Sequence, residues 1–307
     1  ILLLMPKWMS RILFIKDTYD AVIAYSGNMI YYIKGFPGQK TCWIHDDWFP
    51  FKTQKHIIGK FRKRKTIKIL SECKNIICVS NNLRDMLIKY SNQKLSNVIF
   101  LPNPVDVSMV RARGKEKCEF EFDNEKLYFI SVGRLHPVKG YERLINIMLR
   151  IHLLYPDVVL LILGTGDERE NLQKIIDSHN AQEYIRLLGY RENPHKYVSR
   201  CSMFICSTFM EGYSTAISEA MILGVGIIST DCGGSEQLLK NGKYGVLTKN
   251  TEEDLEKGIR KVLDNREFVE YYRKMASLRA EEIFDIQKSV GDIQRIAFVS
   301  EGAYRGG

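Results

Sequence analysis

Two glutamates eight positions apart, Glu211 and Glu219, flank the run Gly212-Tyr213-Ser214-Thr215, which is made of small and turn-forming residues. Met203-Phe-Ile-Cys206 before them is a short apolar run of the kind a buried parallel strand makes, and Ala216, Ile217, Ala220 and Met221 recur at helical spacing. The pattern puts Glu211 at the carboxyl edge of a strand and Glu219 in the first turns of a helix. A polar ligand bound over that edge could meet one carboxylate with each end. Between them, the unpaired N–H groups of the turn and helix start form an anion site that needs no metal. Taken singly, each glutamate is better explained as a turn cap or a solvated helix residue. A second anion site earlier in the chain changes that balance.

Leu127-Tyr-Phe-Ile-Ser-Val-Gly133 reads as a strand that stops on a glycine. Arg134, Leu135, His136, Pro137, Val138, Lys139 and Gly140 follow, and a helix is expected from Tyr141 to Leu154. Pro137 suits a helix start, and Arg134 and Lys139 set a forked donor and a point charge beside the same N-terminal dipole. Two anion sites at strand edges of one sheet suit a diphosphate carrying a group on each side.

The motifs Gly133-Arg-Leu-x-x-x-Lys139-Gly140, Glu211-(x)7-Glu219 and Cys232-Gly-Gly-Ser-Glu236 together resemble the donor half of the GT-B fold, retaining nucleotide-sugar glycosyltransferases of family GT4. Upstream, Ile77-Cys-Val-Ser80 and Leu101-Pro-Asn-Pro-Val-Asp106 extend the likeness. It implies an α/β fold of two Rossmann-like, doubly wound parallel-sheet domains facing a cleft. It also implies transfer of a sugar from a nucleoside diphosphate sugar, usually a UDP-sugar, to a hydroxyl of a saccharide or lipid-linked acceptor with retention. By resemblance, Glu211 holds sugar hydroxyls, Glu219 the ribose diol, and Arg134 and Lys139 the departing diphosphate in place of a metal. Gly133, Gly164, Tyr190, Gly212, Tyr213, Ser214 and Thr215 complete the donor contacts. Tyr190 is equally well an ordinary packing residue. His45, at the carboxyl end of the strand Thr41-Cys-Trp-Ile-His45 and followed by Asp46, matches the family's His-Asp near the scissile sugar, which favours a catalytic part for it over a structural one. Asp46-Asp47 is not an Asp-x-Asp metal motif, so no metal and no cofactor beyond the donor is expected.

The elements that must position these residues are legible as alternation. Strands are expected at 20–25, 41–48, 75–80 and 98–101, and the chain then exits through Pro102-Asn103-Pro104 into a weakly periodic, charged stretch. We place an interdomain linker there, at 104–124. Strands and helices then alternate through 127–133, 139–154, 157–164, 167–178, 185–188, 193–200, 203–206, 214–224, 226–230 and 234–240, as in a parallel doubly wound sheet. The domains are therefore 1–108, on the acceptor side, and 109–284, for the donor, with a helix at 285–300 packing back on the first. Gly164-Thr-Gly166 lacks the third glycine of a dinucleotide fingerprint, and Asp167, Glu168 and Glu170 follow where a pyrophosphate needs donors. The opening residues show no glycine-rich strand-turn of the family's kind, so the chain is expected to lack its true N-terminus and the first domain to be incomplete. The tail 301–307 is expected to be disordered.

The net charge of +9 lies in the first third. Residues 1–108 hold 17 Lys and Arg against 7 Asp and Glu, whereas the remainder holds 28 against 29. Much of the excess falls in 52–68, where Ile57, Ile58, Phe61 and Ile67 interleave with the cations; either a solvated helix face or a basic face lying on an anionic membrane surface explains it. Nucleic acid ranks lower, for lack of any recognisable binding module. The seven cysteines show no metal spacing and read as reduced thiols of a cytoplasmic protein, peripheral at the membrane's inner face if 52–68 binds lipid. The rival readings are a non-catalytic nucleotide-sugar binding fragment, a GT-B nucleotide-sugar 2-epimerase, and a basic scaffold that binds lipid or nucleic acid but no nucleotide sugar.

Overall fold

A computed structural model of the chain describes residues 19–45 and 57–298, together with residues 6, 7, 9, 13 and 15. Asp46, Asp47, the 52–56 part of the basic stretch and the 301–307 tail lie outside the described residues. The chain divides into two compact units, Ile1–Asn103 with Gln287–Gly307, and Pro104–Ile286.

The first unit carries a parallel sheet in the order β1 (Ala21–Ala24), β2 (Gln39–Ile44), β3 (Asn75–Cys78) and β4 (Val98–Phe100). Ile76, Ile77 and Cys78 of β3 are fully buried, as expected of a strand covered on both faces. Helices Ile57–Leu70 and Asn81–Tyr90 form the connections. The second starts where it does because the Ser80 hydroxyl accepts the Leu83 N–H at 3.3 Å.

The second unit holds six parallel strands: β5 (Leu127–Val132), β6 (Val158–Leu163), β7 (Ile185–Gly189), β8 (Met203–Cys206), β9 (Gly226–Thr230) and β10 (Val246–Thr248). Their order across the sheet is β10-β9-β8-β5-β6-β7. The chain moves outward from β5 to β7, returns to the other side of β5 at β8, and moves outward again to β10. The order therefore reverses between β5 and β8, and a crevice opens beyond their carboxyl ends, where ligands of such sheets bind. All six residues of β6 are buried, and Leu144, Ile147, Met148 and Ile151 of the helix Tyr141–His152 pack against that face with Ile259 and Val262 of the helix Glu252–Asp264. Fully burying each such side chain is worth about 1.5–3 kcal/mol, which fixes the strand ends that carry the motifs.

One expectation fails here. The stretch at 104–124 is not a bare linker: Val107–Gly114 is a helix of the second unit. Asp106 caps it by accepting the Met109 N–H at 2.9 Å, Val110 is buried, and the absent Gly114 side chain makes room for Leu223, whose Cδ2 lies 2.4 Å from where a Cβ would stand. Arg113 and Asn193 tie it further, Asn193 Nδ2 donating to the Arg113 carbonyl at 3.0 Å.

Candidate active site

The switch point brings together the two segments singled out by their chemistry, Gly133–Gly140 after β5 and Ser207–Ser214 after β8. Pro137–Lys139 makes a 3-10 turn that starts because His136 Nδ1 accepts the Val138 N–H at 3.2 Å. It ends at Gly140, whose φ of +65° and lack of a side chain are both required: a Cβ would lie 2.3 Å from the Ser207 carbonyl oxygen. The two segments are laced by backbone. The Ser207 hydroxyl donates to the Lys139 carbonyl at 2.8 Å, and the Phe209 N–H donates to the Val138 carbonyl at 2.8 Å. The Lys139 ammonium then forms an ion pair with the Glu211 carboxylate, with both side chains about a quarter exposed. Glu211 thus pairs with a cation across the switch point rather than capping its own turn.

Glu211 is aligned from its other side by the turn that follows β9. Its N–H donates to the Cys232 carbonyl at 2.9 Å, and Glu211 and Gly233 form a parallel bridge. Gly234 has no room for a side chain, because the Gly212 carbonyl oxygen would stand 2.4 Å from its Cβ. Ser214 caps the helix Thr215–Ile222 by accepting the Ile217 N–H at 3.3 Å; Thr215 and Ala216 begin it with N–H groups that helix geometry leaves unmatched. Thr215 is exposed. Tyr213 is different: its ring is buried, and that burial pushes its phenol pKa up to about 12. Its ring is thus taken up by packing, and its backbone is the part that faces the turn.

Glu219 lies in the helix, half-buried, with its Oε2 3.2 Å from Nε2 of His195. His195 is buried, in the short helix His195–Val198, and its N–H donates to Asn193 Oδ1 at 3.0 Å. Nothing in the sequence pointed to His195; it lies far from Glu219 along the chain, and the interval matches no motif. Arg134 is exposed and, among the described residues, makes no ion pair. Gly133 packs close to Tyr141, whose hydroxyl would lie 2.8 Å from an added Cβ; burial raises the pKa of that phenol. Gly164, with φ +140°, ends β6 with its N–H on the Gly189 carbonyl at 2.9 Å. Tyr190 follows β7 and is 70% exposed, so it is not a core residue.

In the first unit, His45 follows β2, its ring 4.5 Å from the Tyr25 ring and stacked at 5.7 Å on Trp43. Within the same unit, the basic helix Ile57–Leu70 buries Thr66, Ile69 and Leu70, and Thr66 shares a hydrogen bond of 2.9 Å with the Tyr31 hydroxyl. Its cations face outward: Lys60, Lys63, Arg64 and Lys68 line a cavity of about 540 Å³ with Lys94 from the turn after Asn81–Tyr90. Among the described residues none of these five side chains is paired with a carboxylate.

Residues 113–279 match the family of glycosyl transferases group 1. The chain belongs to that family. An uncharacterized glycosyltransferase of Methanocaldococcus jannaschii is 30% identical over 229 residues, 69% of this chain and 56% of that protein. The N-acetylgalactosamine-N,N'-diacetylbacillosaminyl-diphospho-undecaprenol 4-alpha-N-acetylgalactosaminyltransferase of Campylobacter jejuni is 27% identical over 214 residues, with the same coverage, so the chain spans a little over half the length of both relatives. Among solved structures, HepE of Anabaena in complex with UDP superposes with a TM-score of 0.76 at 16% identity, covering 90% of this chain and 78% of that one. The pneumococcal O-GlcNAc transferase GtfA in complex with UDP and GlcNAc gives 0.71 at 16% identity, covering 95% and 60%. The fold is GT-B, two parallel-sheet α/β domains, as the motifs imply.

Proposed function

We propose that this chain moves a sugar from a nucleoside diphosphate sugar, with UDP as the nucleotide, to a hydroxyl of a saccharide or lipid-linked acceptor, with retention and without a divalent ion. The observation that carries the reading is the meeting of Lys139 and Glu211 at the switch point between β5 and β8. A cation for the departing diphosphate and a carboxylate for sugar hydroxyls are thereby held side by side before any donor arrives. Arg134, exposed beside the same turn, adds a second donor to the developing charge. Glu219, whose carboxylate stands 3.2 Å from His195 Nε2, takes the ribose diol, and the leading N–H groups of Thr215–Ile222 face the phosphates. The resemblance adds His45 of the first unit to the catalytic candidates. HepE and GtfA, whose structures hold UDP, support the choice of base.

The test is calorimetric titration with UDP and GDP, followed by assay of nucleotide release from their sugars in the presence of a membrane extract, with and without magnesium. UDP binding and UDP release that survive chelation are expected, and Glu219→Gln should weaken UDP binding by about tenfold, the value of one charge-assisted hydrogen bond pair. Absence of nucleotide binding sinks the reading; an epimerised sugar released with no acceptor present would move the chain to the epimerases instead.

The Campylobacter relative, by its name, acts on a diphospho-undecaprenol-linked saccharide. A cytoplasmic protein, peripheral at the inner face of the membrane, fits such an acceptor, and we assign the membrane contact to the five-cation cavity. Among the described residues no helix is long and apolar enough to cross a membrane. Each cation near an anionic surface contributes about 1 kcal/mol, so Lys60→Ala with Arg64→Ala should weaken binding to phosphatidylglycerol vesicles by about 30-fold, with no change on phosphatidylcholine. Equal flotation of the double variant and wild type with both vesicles would remove the cavity from membrane binding.

A further inference from the structure

The helix Tyr141–His152 is apolar on its inner side except at one position. Arg143 is 6% exposed, among the described residues it has no carboxylate in ion-pair contact, and burial lowers its pKa. A buried guanidinium with no carboxylate in contact is unfavourable unless acceptors take its N–H groups. Here they are directed at the segment that carries Glu211. Nε donates to the Ser207 carbonyl at 2.9 Å, one terminal nitrogen donates to the same oxygen, and that nitrogen also donates to Asn250 Oδ1 at 2.8 Å. Asn250 Nδ2 in turn donates to the Phe209 carbonyl at 2.7 Å, and the guanidinium lies over the Phe209 ring, its Cζ 3.8 Å from the ring centre. Phe209 is otherwise half-exposed.

We infer that Arg143 is a positioning residue of the donor site: it straps the exit of β8, Ser207 to Phe209, onto the turn at 138–140 and thereby sets Glu211 opposite Lys139. The strap and the turn share bonds at every step. Ser207 takes the guanidinium through its carbonyl and holds Lys139 through its hydroxyl; Phe209 takes the ring contact through its face and holds Val138 through its N–H. Gly140 is part of the same arrangement, since a Cβ there would stand 2.8 Å from Arg143 Nε. Arg143 touches neither Lys139 nor Glu211 and acts on both through Ser207 and Phe209. Lysine cannot replace it, because one ammonium cannot both fork onto Ser207 and reach Asn250 while lying over the ring.

The catalytic part of this inference rests on the proposed function, and the experiment separates the two. Hydrogen exchange on the full chain with Arg143→Met, Arg143→Lys and Asn250→Ala reads the strap without any substrate. The Phe209 and Glu211 amides, which donate to Val138 and Cys232, should exchange at least tenfold faster in Arg143→Met, while the amides of β1 to β4 keep their protection. In the transfer assay, Arg143→Met should lower kcat by about 30-fold per folded molecule with the acceptor KM within twofold, and Arg143→Lys by about tenfold. Asn250→Ala should lower it about fivefold, and the double variant Arg143→Met with Asn250→Ala should be no slower than Arg143→Met alone, because both act through Phe209. Unchanged exchange at Phe209 and Glu211 in folded Arg143→Met overturns the inference, as does multiplication of the two effects in the double variant. A wild-type chain that turns over no nucleotide sugar would sink the proposed function and leave the exchange result to decide the strap.

Discussion

Replacing Lys139 by alanine is expected to lower sugar transfer by about 10²- to 10³-fold, the loss that follows removal of one preorganised donor to a developing negative charge. Preorganisation is what the structure supplies. The backbone at 138–139 is held by the Phe209 N–H and the Ser207 hydroxyl, and the ammonium is held by Glu211, so the charge stands in place before a diphosphate begins to leave. Arg134 has no such support: it is exposed and must be ordered by the donor itself. Arg134→Ala is therefore expected to cost less, about 10- to 10²-fold. Both variants should stay folded. The Lys139 and Glu211 side chains are 26% and 22% exposed, and solvent screening limits the loss of their ion pair to about 1 kcal/mol. Single-turnover rates at saturating donor, read beside thermal melts, check both numbers and their order. A Lys139→Ala rate within threefold of wild type would remove the ammonium from leaving-group stabilisation.

The parts of this site that the sequence displays are those that use rare residues at fixed spacing on strand ends. Strands β5, β6, β8 and β9 are buried along most of their length, so they are written as largely apolar runs, and the residues just past them stand out. Lys139 and Glu211 were legible for that reason. The strap was not. Arg143 occupies a core position of its helix, and a charged residue there reads as a solvent-facing one unless its acceptors are known; those acceptors are a carbonyl at 207 and an amide at 250, groups that any residue or any asparagine offers. His195 was hidden similarly, because its partner Glu219 is met only once the helices fold together. The Val107–Gly114 helix was missed because Val110 is its only buried large apolar residue.

Gly164→Ala should be the most damaging single methyl group in the second unit. Gly164 has φ +140°, outside the range that side chains favour, and its added Cβ would stand 1.9 Å from the Gly133 carbonyl oxygen and 2.9 Å from the Gly133 carbonyl carbon. Those atoms are backbone and cannot rotate away. They are also fixed, because the Gly133 N–H donates to Leu163 at 3.0 Å and the Leu135 N–H donates to Thr165 at 2.8 Å, so the two loops are bonded on either side of the clash. The methyl group fits only if the turn at 133–135 lifts off the sheet, breaking both bonds and moving Arg134 and Lys139 away from the β8 exit. The expected stability loss is about 3 kcal/mol or more, a fall in Tm of about 6–12 °C for a domain of this size. Turnover should fall by at least 10²-fold in whatever folded protein remains, since a displacement of about 1 Å at the leaving group has that effect. Gly291 gives the control: it lies in the helix Ile286–Phe298 with nothing within 4 Å of an added Cβ, so Gly291→Ala should stabilise by about 0.5–1 kcal/mol and leave turnover unchanged. Thermal melts and initial rates of the two variants, side by side, separate a clash at the site from the general effect of a methyl group on a glycine. A Gly164→Ala protein with wild-type Tm and rate would mean that the turn carrying Lys139 is not seated against β6.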